Sequence, residues 1–447
     1  MEEQDNYFEF SSYELSYDRQ IIKFHYKLGI KDKEPLEFIE TITLPVPIAD
    51  SIPKVLINSL LQNLHLMLGI SYWKIFCQKN IRISSYSLTK EQAEFWNTVY
   101  TKGLGEFFYR NEINFKGLVN FPYSENANAV SINFERQNRS LVGLGGGKDS
   151  LVTIELLKEK YKRITAFILE TQRPYPLIQG LINNIGIDSL TIKRQLDPQL
   201  FEANKMGGAY NGHVPISAIY AFVGLLAAVV YDYRYVIVSN EKSANIGNVE
   251  YFGQIINHQW SKSEEFERLF QNYTKQFVTP NVYYFSLIRP LSEMKVTEIF
   301  SKYDKYFKIF SSCNNNFRVG ITLGLSVHQK WCGSCPKCAF VFSMMAAFLP
   351  KTKLVEIFGR NLFADQSLMN MYKDLLGIGD IKPFECVGTF EESKAAFYKA
   401  YLNKEYEKDA VMQMFEKEVL PNINNPDELI KKVLSTGNSS MIPEEFK

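Results

Sequence analysis

The sequence predicts an α/β fold, in which helices cover both faces of a doubly wound parallel sheet. From residue 140 onward, short apolar segments typical of strands alternate with segments whose apolar residues have helical spacing. The stretch 141–157, LVGLGGGKDSLVTIELL, joins a strand pattern to a helix pattern through three glycines. The 447 residues, of which 46% are hydrophobic, are enough for two or three domains. We expect an α+β N-terminal domain at 1–139, an α/β ligand-binding domain at 140–349 and a helical C-terminal region at 350–447.

The N-terminal region carries two kinds of pattern. Polar and apolar residues alternate up to about residue 48, as around Ile21, Phe24 and Tyr26, which predicts antiparallel strands. Apolar residues at helical spacing follow from Pro53, and a second helix is predicted at 89–104.

The other two regions are predicted from the same periodicities. Strands of the α/β region are expected at 141–144, 164–169, near 190 and at 235–238, with helices at 150–161, about 176–185 and 213–230. The C-terminal helices are expected at 354–363, 368–376, 390–402, 410–419 and 429–433. Because parallel sheets bind ligands at the carboxyl ends of their strands, the loops that follow the strands are the first candidates for a site.

Composition and charge narrow the classes of function. Fifty basic and forty-nine acidic residues leave the chain near neutral, without a block of Lys or Arg, so we expect no nucleic-acid partner. No apolar run reaches the length of a membrane span, and the acidic start MEEQDNYFEF lacks the features of a secretory signal. We therefore expect a cytoplasmic protein without membrane insertion. Six cysteines, three of them within seven residues, indicate metal chemistry in a reducing compartment.

The glycine-rich loop is a candidate anion site formed by Gly145, Gly146, Gly147, Lys148, Asp149 and Ser150. Glycines let backbone N–H groups approach a ligand, and the N-terminus of the following helix adds a positive partial charge. The loop departs from the Walker A motif, because Asp149 stands where that motif has Ser or Thr and Val142 stands where it begins with Gly. It also has Lys148 in place of the third glycine of the dinucleotide-binding fingerprint.

Polar residues are dense in two other loops that follow predicted strands. The segment 239–245, SNEKSAN, comes directly after the strand pattern YVIV and includes Ser239, Glu241 and Lys242. Glu170 follows the strand predicted at 164–169. This placement favours a site at the carboxyl edge of the sheet.

Three further segments contain candidate acid, base or nucleophilic groups. His213, in NGHVP, is predicted at a helix start, where an imidazole tends to stay neutral, and is either a proton-transfer group or a helix cap. Lys262 lies in INHQWSKSEEFE, which either binds phosphate or carboxylate groups or is a solvated helix start. Cys386, in KPFECVGT, either faces a site or is a packed thiol.

The motif WCGSCPKC predicts a metal centre. Cys332, Cys335 and Cys338 have C-x-x-C-x-x-C spacing, and Cys313 is the candidate for a fourth ligand. Four thiolates favour a closed tetrahedral structural zinc site. An iron–sulfur cluster is the rival, but the ferredoxin pattern would place a cysteine at position 342, which is Phe. Redox-active or sulfur-carrying cysteines are a third interpretation.

The loop at 145–150 resembles the Ser-Gly-Gly-x-Asp-Ser loop of the ATP pyrophosphatase (PP-loop) superfamily, with Gly145 in place of the first serine. That resemblance implies a PP-loop (HUP-like) sheet at 140–349 and an enzyme that cleaves ATP between its α and β phosphates. Together with the motif C-G-x-C-x-x-C, the loop is also similar to the 7-cyano-7-deazaguanine synthases, although that similarity ends with this domain.

A fuller resemblance covers most of the chain. The segments LHLMLGISYWK, KGLGEFFYRN, GGGKDS, NGHVPISA, SNEKSAN, NHQWSKSEEFE, RPLSE, WCGSCPKCAFVF and KPFECVGT resemble, in this order, the family of UDP-N-acetyl-α-D-muramoyl-L-alanyl-L-glutamate epimerases. In that family ATP and magnesium drive inversion of the terminal L-glutamate of a cell-wall precursor to D-glutamate, with release of AMP and pyrophosphate. The resemblance thus implies an isomerase of peptidoglycan synthesis with a small UDP-muramoyl dipeptide substrate, and it leaves the oligomeric state open.

The resemblance also suggests roles for the candidate residues. The loop 145–150 would hold the phosphates of ATP, with Ser239 nearby and Glu170 or its neighbours meeting the adenosine. Proton transfer would fall first to His213, then to Glu241 and Lys242, then to Lys262, with Cys386 as a further candidate. The alternatives are another PP-loop adenylating ligase or amidating synthase, and a non-catalytic ATP-binding module.

Overall fold

The computed structural model describes residues 6–160, 163–316, 330–379 and 382–447. Within these ranges the strands are β1 Tyr7–Leu15, β2 Ile21–Gly29, β3 Leu36–Thr43, β4 Ile81–Ile83, β5 Ser140–Gly143, β6 Ile164–Thr171, β7 Asp188–Gln195, β8 Tyr235–Val238, β9 Val249–Tyr251, β10 Gln254–Ile256 and β11 Tyr283–Ser286. The helices are α1 Lys54–Trp73, α2 Lys90–Gly103, α3 Gly105–Arg110, α4 Lys148–Lys160, α5 Pro176–Ile185, α6 Gln199–Ala203, α7 Ile216–Val230, α8 Glu264–Phe277, α9 Glu293–Phe300, α10 Pro336–Ala346, α11 Lys351–Phe358, α12 Met369–Leu376, α13 Phe390–Leu402, α14 Ala410–Met414 and α15 Pro426–Leu434. None of the helices in the described ranges has the length and apolar character needed to cross a bilayer.

A nine-stranded mixed sheet organises the chain, in the order β11-β8-β5-β6-β7-β3-β2-β1-β4. The five strands from β11 to β7 are parallel to one another. Strand β3 pairs antiparallel with β7, and β2 and β1 continue antiparallel beyond it. The predicted α/β class with parallel strands is confirmed, whereas the extension of the same sheet by the N-terminal strands was not predicted.

The order of the parallel strands creates a crevice beside β5. The chain runs from β5 to β6 and β7 on one side, and then places β8 and β11 on the other. Because of this reversal, no crossover helix in the described ranges lies between the carboxyl ends of β5 and β8. Open α/β sheets bind ligands in the crevice at such a point. The loops after β5, β8 and β11 therefore meet at one edge of the sheet.

Two apolar cores lie on opposite faces of the sheet. Successive residues of one strand point to opposite faces, and accordingly Leu141 belongs to one core and Val142 to the other. The first core includes residues of α1 and α7, and the second includes residues of α4 and α10. Helices thus cover both faces, as a doubly wound arrangement requires.

Several predicted helix bounds need correction. The helix predicted at 213–230 begins at Ile216, because the proline at 215 disfavours a helical conformation for the residue before it. The helix predicted at 150–161 already begins at Lys148, and residue 161 lies outside the described residues. The helix predicted at 354–363 ends at Phe358, where Gly359 adopts a left-handed conformation with φ of 78°.

Candidate active site

The glycine loop after β5 is held close to the segment that leads into the cysteine motif. Gly146 has a positive φ of 88°, which glycine adopts without steric cost. A Cβ atom on Gly147 would lie 2.6 Å from Ser312 Oγ, so this position has no room for a side chain unless Ser312 moves. The N–H of Ser311 donates to the carbonyl of Gly146 at 3.1 Å. By contrast, a Cβ atom on Gly145 would meet nothing within 4 Å.

Lys148 and Asp149 begin helix α4 at the mouth of this loop. The ammonium of Lys148 is fully buried and contacts the carboxylates of Asp149 and Glu293. Burial alone would lower the pKa of Lys148, but these two acids outweigh it and hold the pKa above its usual range. Burial likewise opposes the charge on Asp149, whose pKa is nevertheless lowered, mainly by Lys148 and Lys337. The ammonium and the carboxylate therefore both stay charged.

Three carboxylates that follow three different parallel strands converge at the crevice. Asp149 follows β5, Glu241 follows β8 and Glu293 follows β11, and each offers an oxygen within 4.8 Å of the others. Glu241 and Glu293 are buried, which raises the pKa of both carboxyl groups. Carboxylate oxygens are the ligands that Mg²⁺ prefers in proteins, usually together with phosphate oxygens of the substrate. The donor set fits a magnesium ion, with Lys148 as a neighbouring fixed cation.

A buried arginine positions two of the loops. Arg289 pairs with Glu267 at 2.8 Å, and both side chains are almost inaccessible to solvent. The guanidinium also donates to the carbonyl of Glu241 at 3.0 Å and to the carbonyl of Lys262 at 2.7 Å. One planar group with five donors thereby holds the backbone of both candidate residues.

The thiol of Cys386 contacts both Lys262 and His258. Lys262 Nζ donates to Cys386 Sγ at 3.3 Å, and His258 Nε2 lies 3.8 Å from the same sulfur. Burial alone would raise the pKa of this thiol, but Lys262 and His258 outweigh burial and lower the pKa to about 5. The pKa of Lys262 is raised despite burial, chiefly by Cys386 and Glu241. The thiol and the amine therefore form a thiolate–ammonium pair at neutral pH.

Glu106 contacts two imidazoles, and one of them, His258, contacts the thiol of Cys386. Glu106 contacts Nδ1 of His258 and lies 3.3 Å from Nδ1 of His213. Burial would lower the pKa of His258, but Cys386 and Glu106 raise it to about 9. Burial and the neighbouring positive His258 lower the pKa of His213 to about 3. Glu106 has a pKa of about 2, because the imidazoles and Arg110 outweigh its burial. Glu106, His258 and Cys386 form a charged chain, and His213 is neutral beside it.

The three thiols of the cysteine motif and the thiol of Cys313 lie together. Sγ atoms of Cys313, Cys332, Cys335 and Cys338 all lie within 4.8 Å of one another, and none forms a disulfide. The Cys332–Cys338 and Cys335–Cys338 sulfur distances are 3.7 Å and 3.4 Å. Zinc–sulfur bonds of about 2.3 Å in a tetrahedron place the sulfurs about 3.8 Å apart. The geometry fits a tetrahedral metal site.

Lys337, inside the cysteine motif, connects this centre to the rest of the site. Its ammonium donates to the carbonyl of Cys386 and lies 3.7 Å from Glu293. The glycine loop, the carboxylates, the thiol and the cysteine cluster thus form one continuous polar region.

The remaining predicted residues occupy different positions. Glu170 is buried near the end of β6 and accepts a hydrogen bond from Gln179 at 3.3 Å. Ser239 has a buried hydroxyl without a hydrogen-bond partner among the described residues. The backbone N–H of Lys242 donates to Leu291 at 2.9 Å, and its side chain is exposed to solvent. The structure therefore brings Glu241 and Lys262 into the polar region and leaves the ammonium of Lys242 outside it.

Sequence reasoning missed several residues of this region. It assigned no role to Glu106, Arg289, Glu293 or Lys337, and it named His258 only as part of a polar segment. Glu106 lies in KGLGEFFYRN, Arg289 and Glu293 in RPLSE, and Lys337 in the cysteine motif. Charged residues in segments that already carried the family resemblance were the available signal.

Comparisons with known proteins identify relatives along nearly the whole chain. Residues 1–287 match the family model of the MurL N-terminal domain, and residues 309–429 match that of the MurL C-terminal domain. A protein of Xanthomonas oryzae pv. oryzae named UDP-N-acetyl-alpha-D-muramoyl-L-alanyl-L-glutamate epimerase is 39% identical over 91% of this chain and 89% of its own length. Proteins with the same name from a Micromonospora species and from Salinispora tropica are 36% and 34% identical, over 87% of this chain and 85% and 83% of their own lengths.

Proposed function

Because this chain belongs to the MurL family, we propose that it inverts the terminal L-glutamate of UDP-N-acetylmuramoyl-L-alanyl-L-glutamate to D-glutamate, in peptidoglycan synthesis. The relatives are named epimerases, and the chain is accordingly an isomerase that acts on a small UDP-muramoyl peptide. The observation that carries this proposal is the continuity, at one edge of the sheet, of the glycine-rich loop with the contact between Lys262 and Cys386.

We further propose that ATP drives the inversion and that the sheet at 140–349 is of the PP-loop type. The loop at 145–150 combines glycines, a fixed ammonium and a helix N-terminus, which together favour a polyphosphate. Buried hydroxyls of Ser239 and Ser312 lack partners among the described residues. The hydroxyl of Ser312 lies beside Gly147. An unpaired buried hydroxyl at this position supports a ligand with many acceptor oxygens, because burying a polar group without a partner costs free energy.

Activation of the carboxyl group explains why an epimerase needs ATP. Removing the α-proton of a free carboxylate places a carbanion beside an existing negative charge. Transfer of AMP to the α-carboxyl group of the glutamyl residue removes that charge and provides an acyl group that delocalises the electron pair. Proton removal, proton return to the other face and hydrolysis by water then yield the D epimer and AMP.

Different residues of the crevice are proposed to bind different parts of ATP and its magnesium ion. Lys148 offsets phosphate charge, and Asp149, Glu241 and Glu293 would hold magnesium. When bound, magnesium screens the phosphates and favours departure of pyrophosphate. Glu170, at the end of the strand next to β5, is proposed to contact adenosine.

The cysteine cluster is proposed to hold structural zinc. Its four thiols lie within 4.8 Å of one another, which suits tetrahedral zinc. Its neighbour Ser311 contacts the glycine loop, and its neighbour Lys337 contacts the Cys386 carbonyl. The proposed metal would therefore stabilise the region that binds ATP without taking part in the reaction.

Incubation with ATP, magnesium and the UDP-linked L-Ala-L-Glu precursor in D₂O tests the proposed function. We expect AMP, pyrophosphate and deuterium at the glutamyl α-carbon of a D product. AMP formation that requires an added amine would instead identify a ligase or amidating synthase. Binding of ATP without AMP formation would identify a non-catalytic module.

A further inference from the structure

We propose that Cys386 and Lys262 are the two groups that move the α-proton. Cys386, as a thiolate, removes it from the L epimer, and Lys262, as an ammonium, returns a proton to the opposite face. The assignment rests on the proposed function and adds to it the identity and protonation state of each group.

The surroundings of Cys386 differ from those of a packed thiol. Lys262 and His258 approach the sulfur from one segment, at 3.3 Å and 3.8 Å, and Glu106 fixes the far side of the imidazole. A thiol, an imidazole that contacts it and a carboxylate that orients the imidazole are the arrangement by which proteins keep a cysteine ionised. The carbonyl of Cys386 is also held by Lys337.

Inversion with two groups requires one group without a proton and one with a proton. The thiolate–ammonium contact between Cys386 and Lys262 provides this combination. His213 contacts Glu106 and the ring of His258, and Glu241 belongs to the carboxylate cluster. The ammonium of Lys242 is exposed to solvent. The pair formed by Cys386 and Lys262 therefore matches the need better than the other candidates.

The proton balance of the step is closed within the pair. The α-carbon–hydrogen bond breaks, the proton goes to Sγ of Cys386, and the electron pair is delocalised into the acyl adenylate. An N–H bond of Lys262 then breaks, and its proton forms the new bond on the opposite face of the α-carbon. Binding requires the two groups to separate around that carbon, which the rotatable side chain of Lys262 permits.

Direct contact between Cys386 and Lys262 allows the enzyme to recover its starting protonation state. After turnover the thiol carries the extra proton and the amine lacks one. At 3.3 Å, Sγ and Nζ are within hydrogen-bond distance, so the proton passes from sulfur to nitrogen without a water molecule or a third residue. The same contact thus restores the thiolate and the ammonium for the next L epimer.

Substitution of Cys386 separates proton transfer from adenylation. For Cys386→Ser we expect ATP–pyrophosphate exchange dependent on the UDP-linked peptide to remain within about threefold of wild type, with deuterium incorporation reduced at least about 100-fold. Cys77→Ser is the matched control, because Cys77 is a buried thiol that belongs to neither the polar region nor the cysteine cluster. Wild-type deuterium incorporation by Cys386→Ser, or an equal loss of pyrophosphate exchange, would overturn the assignment.

Substitution of Lys262 gives a different signature. In Lys262→Met the sulfur loses one of the groups that lower its pKa and keeps the contact with His258. We therefore expect slower proton exchange on one face only, which gives deuterated L-glutamate and no D-glutamate. Inversion at the wild-type rate in this variant, or no exchange at all with adenylation intact, would overturn the role of the pair. If wild type forms neither AMP nor deuterated product, the proposed function is wrong. If wild type is active and the variants are equally active, only the assignment of Cys386 and Lys262 is wrong.

Discussion

The backbone N–H of Ser311 donates to the carbonyl oxygen of Gly146 at 3.1 Å. Ser311 lies two residues before Cys313 of the cysteine cluster, and Gly146 lies in the middle of the proposed phosphate loop. A single hydrogen bond therefore links the backbone of the two motifs, and Lys337 adds a second link through Glu293. We therefore expect the loop to depend on the cysteine cluster for its position.

Loss of the proposed zinc should weaken ATP binding. We expect about one zinc per chain, loss of that zinc in Cys335→Ser, and ATP binding weakened by roughly tenfold because Ser311 and Lys337 lose their fixed positions. Metal analysis and ATP titration measure the two effects, with Cys77→Ser as the control. Unchanged ATP affinity in a zinc-free variant would argue against this coupling.

Alkylation by iodoacetamide should single out Cys386 outside the cysteine cluster. Its pKa is about 5, so the rate should be flat from pH 6 to 8 and fall as protonation removes the thiolate below about pH 5. Burial raises the pKa of Cys77 to about 12, and this thiol should stay unlabelled over the same range. Charged groups that influence Cys386 come from several segments: Lys262, His258, Lys337, Lys382 and Glu385. A rate that still rises from pH 8 to 9 would indicate an ordinary thiol.

Glu106 is expected to act on Cys386 through His258. Glu106→Gln removes the negative partner that keeps this imidazole protonated, so the pKa of Cys386 should rise and its alkylation at pH 6 should slow by roughly tenfold. Mass spectrometry of the labelled peptide measures the rate. A purely structural role for Glu106 predicts a lower melting temperature with an unchanged pH profile of labelling.

Gly147→Ala should weaken ATP binding more than it destabilises the fold. The new Cβ atom meets Ser312 Oγ, 2.6 Å away, and displaces a hydroxyl from the mouth of the loop. We expect the apparent affinity for ATP to fall severalfold with little change in melting temperature. Gly180→Ala in α5 is the matched control, since a Cβ atom there meets nothing within 4 Å. Equal affinities in both variants would contradict the role of the loop.

Removal of Arg289 should affect both folding and epimerisation. Arg289→Met leaves buried Glu267 unpaired, which costs about 3–5 kcal/mol in the free energy of unfolding. Arg268→Ala, which breaks an exposed pair with Glu264, should cost less than about 1 kcal/mol. Arg289→Lys keeps the charge but not the planar fork, so we expect a folded protein with slower epimerisation. Denaturant unfolding and deuterium incorporation measure these effects, and full activity of Arg289→Lys would contradict the positioning role.

Features that depend on residues close together in the sequence could be predicted, whereas contacts between residues far apart in the sequence could not. The strand and helix patterns around the glycine loop depend on local spacing, and the sequence was sufficient to predict them. The contact of Glu106 with His258 joins residues 152 positions apart, and neither segment alone indicates it. Likewise, pairing of β3 with β7 depends on how distant segments pack, so the extension of the sheet by the N-terminal strands could not be derived from periodicity. Glu241 and Lys242 are neighbours with opposite exposure, which only the fold decides.

Strand β11 ends at Ser286, so every strand of the main sheet lies in the segment 1–287 that matches the first family model. Cys386 and the cysteine cluster lie in the segment 309–429 that matches the second. In the proposed function, the nucleotide loop and Lys262 belong to the first segment and Cys386 to the second, so neither segment alone holds the proposed reaction centre. We therefore expect the two segments, produced as separate chains, to restore activity only when both are present.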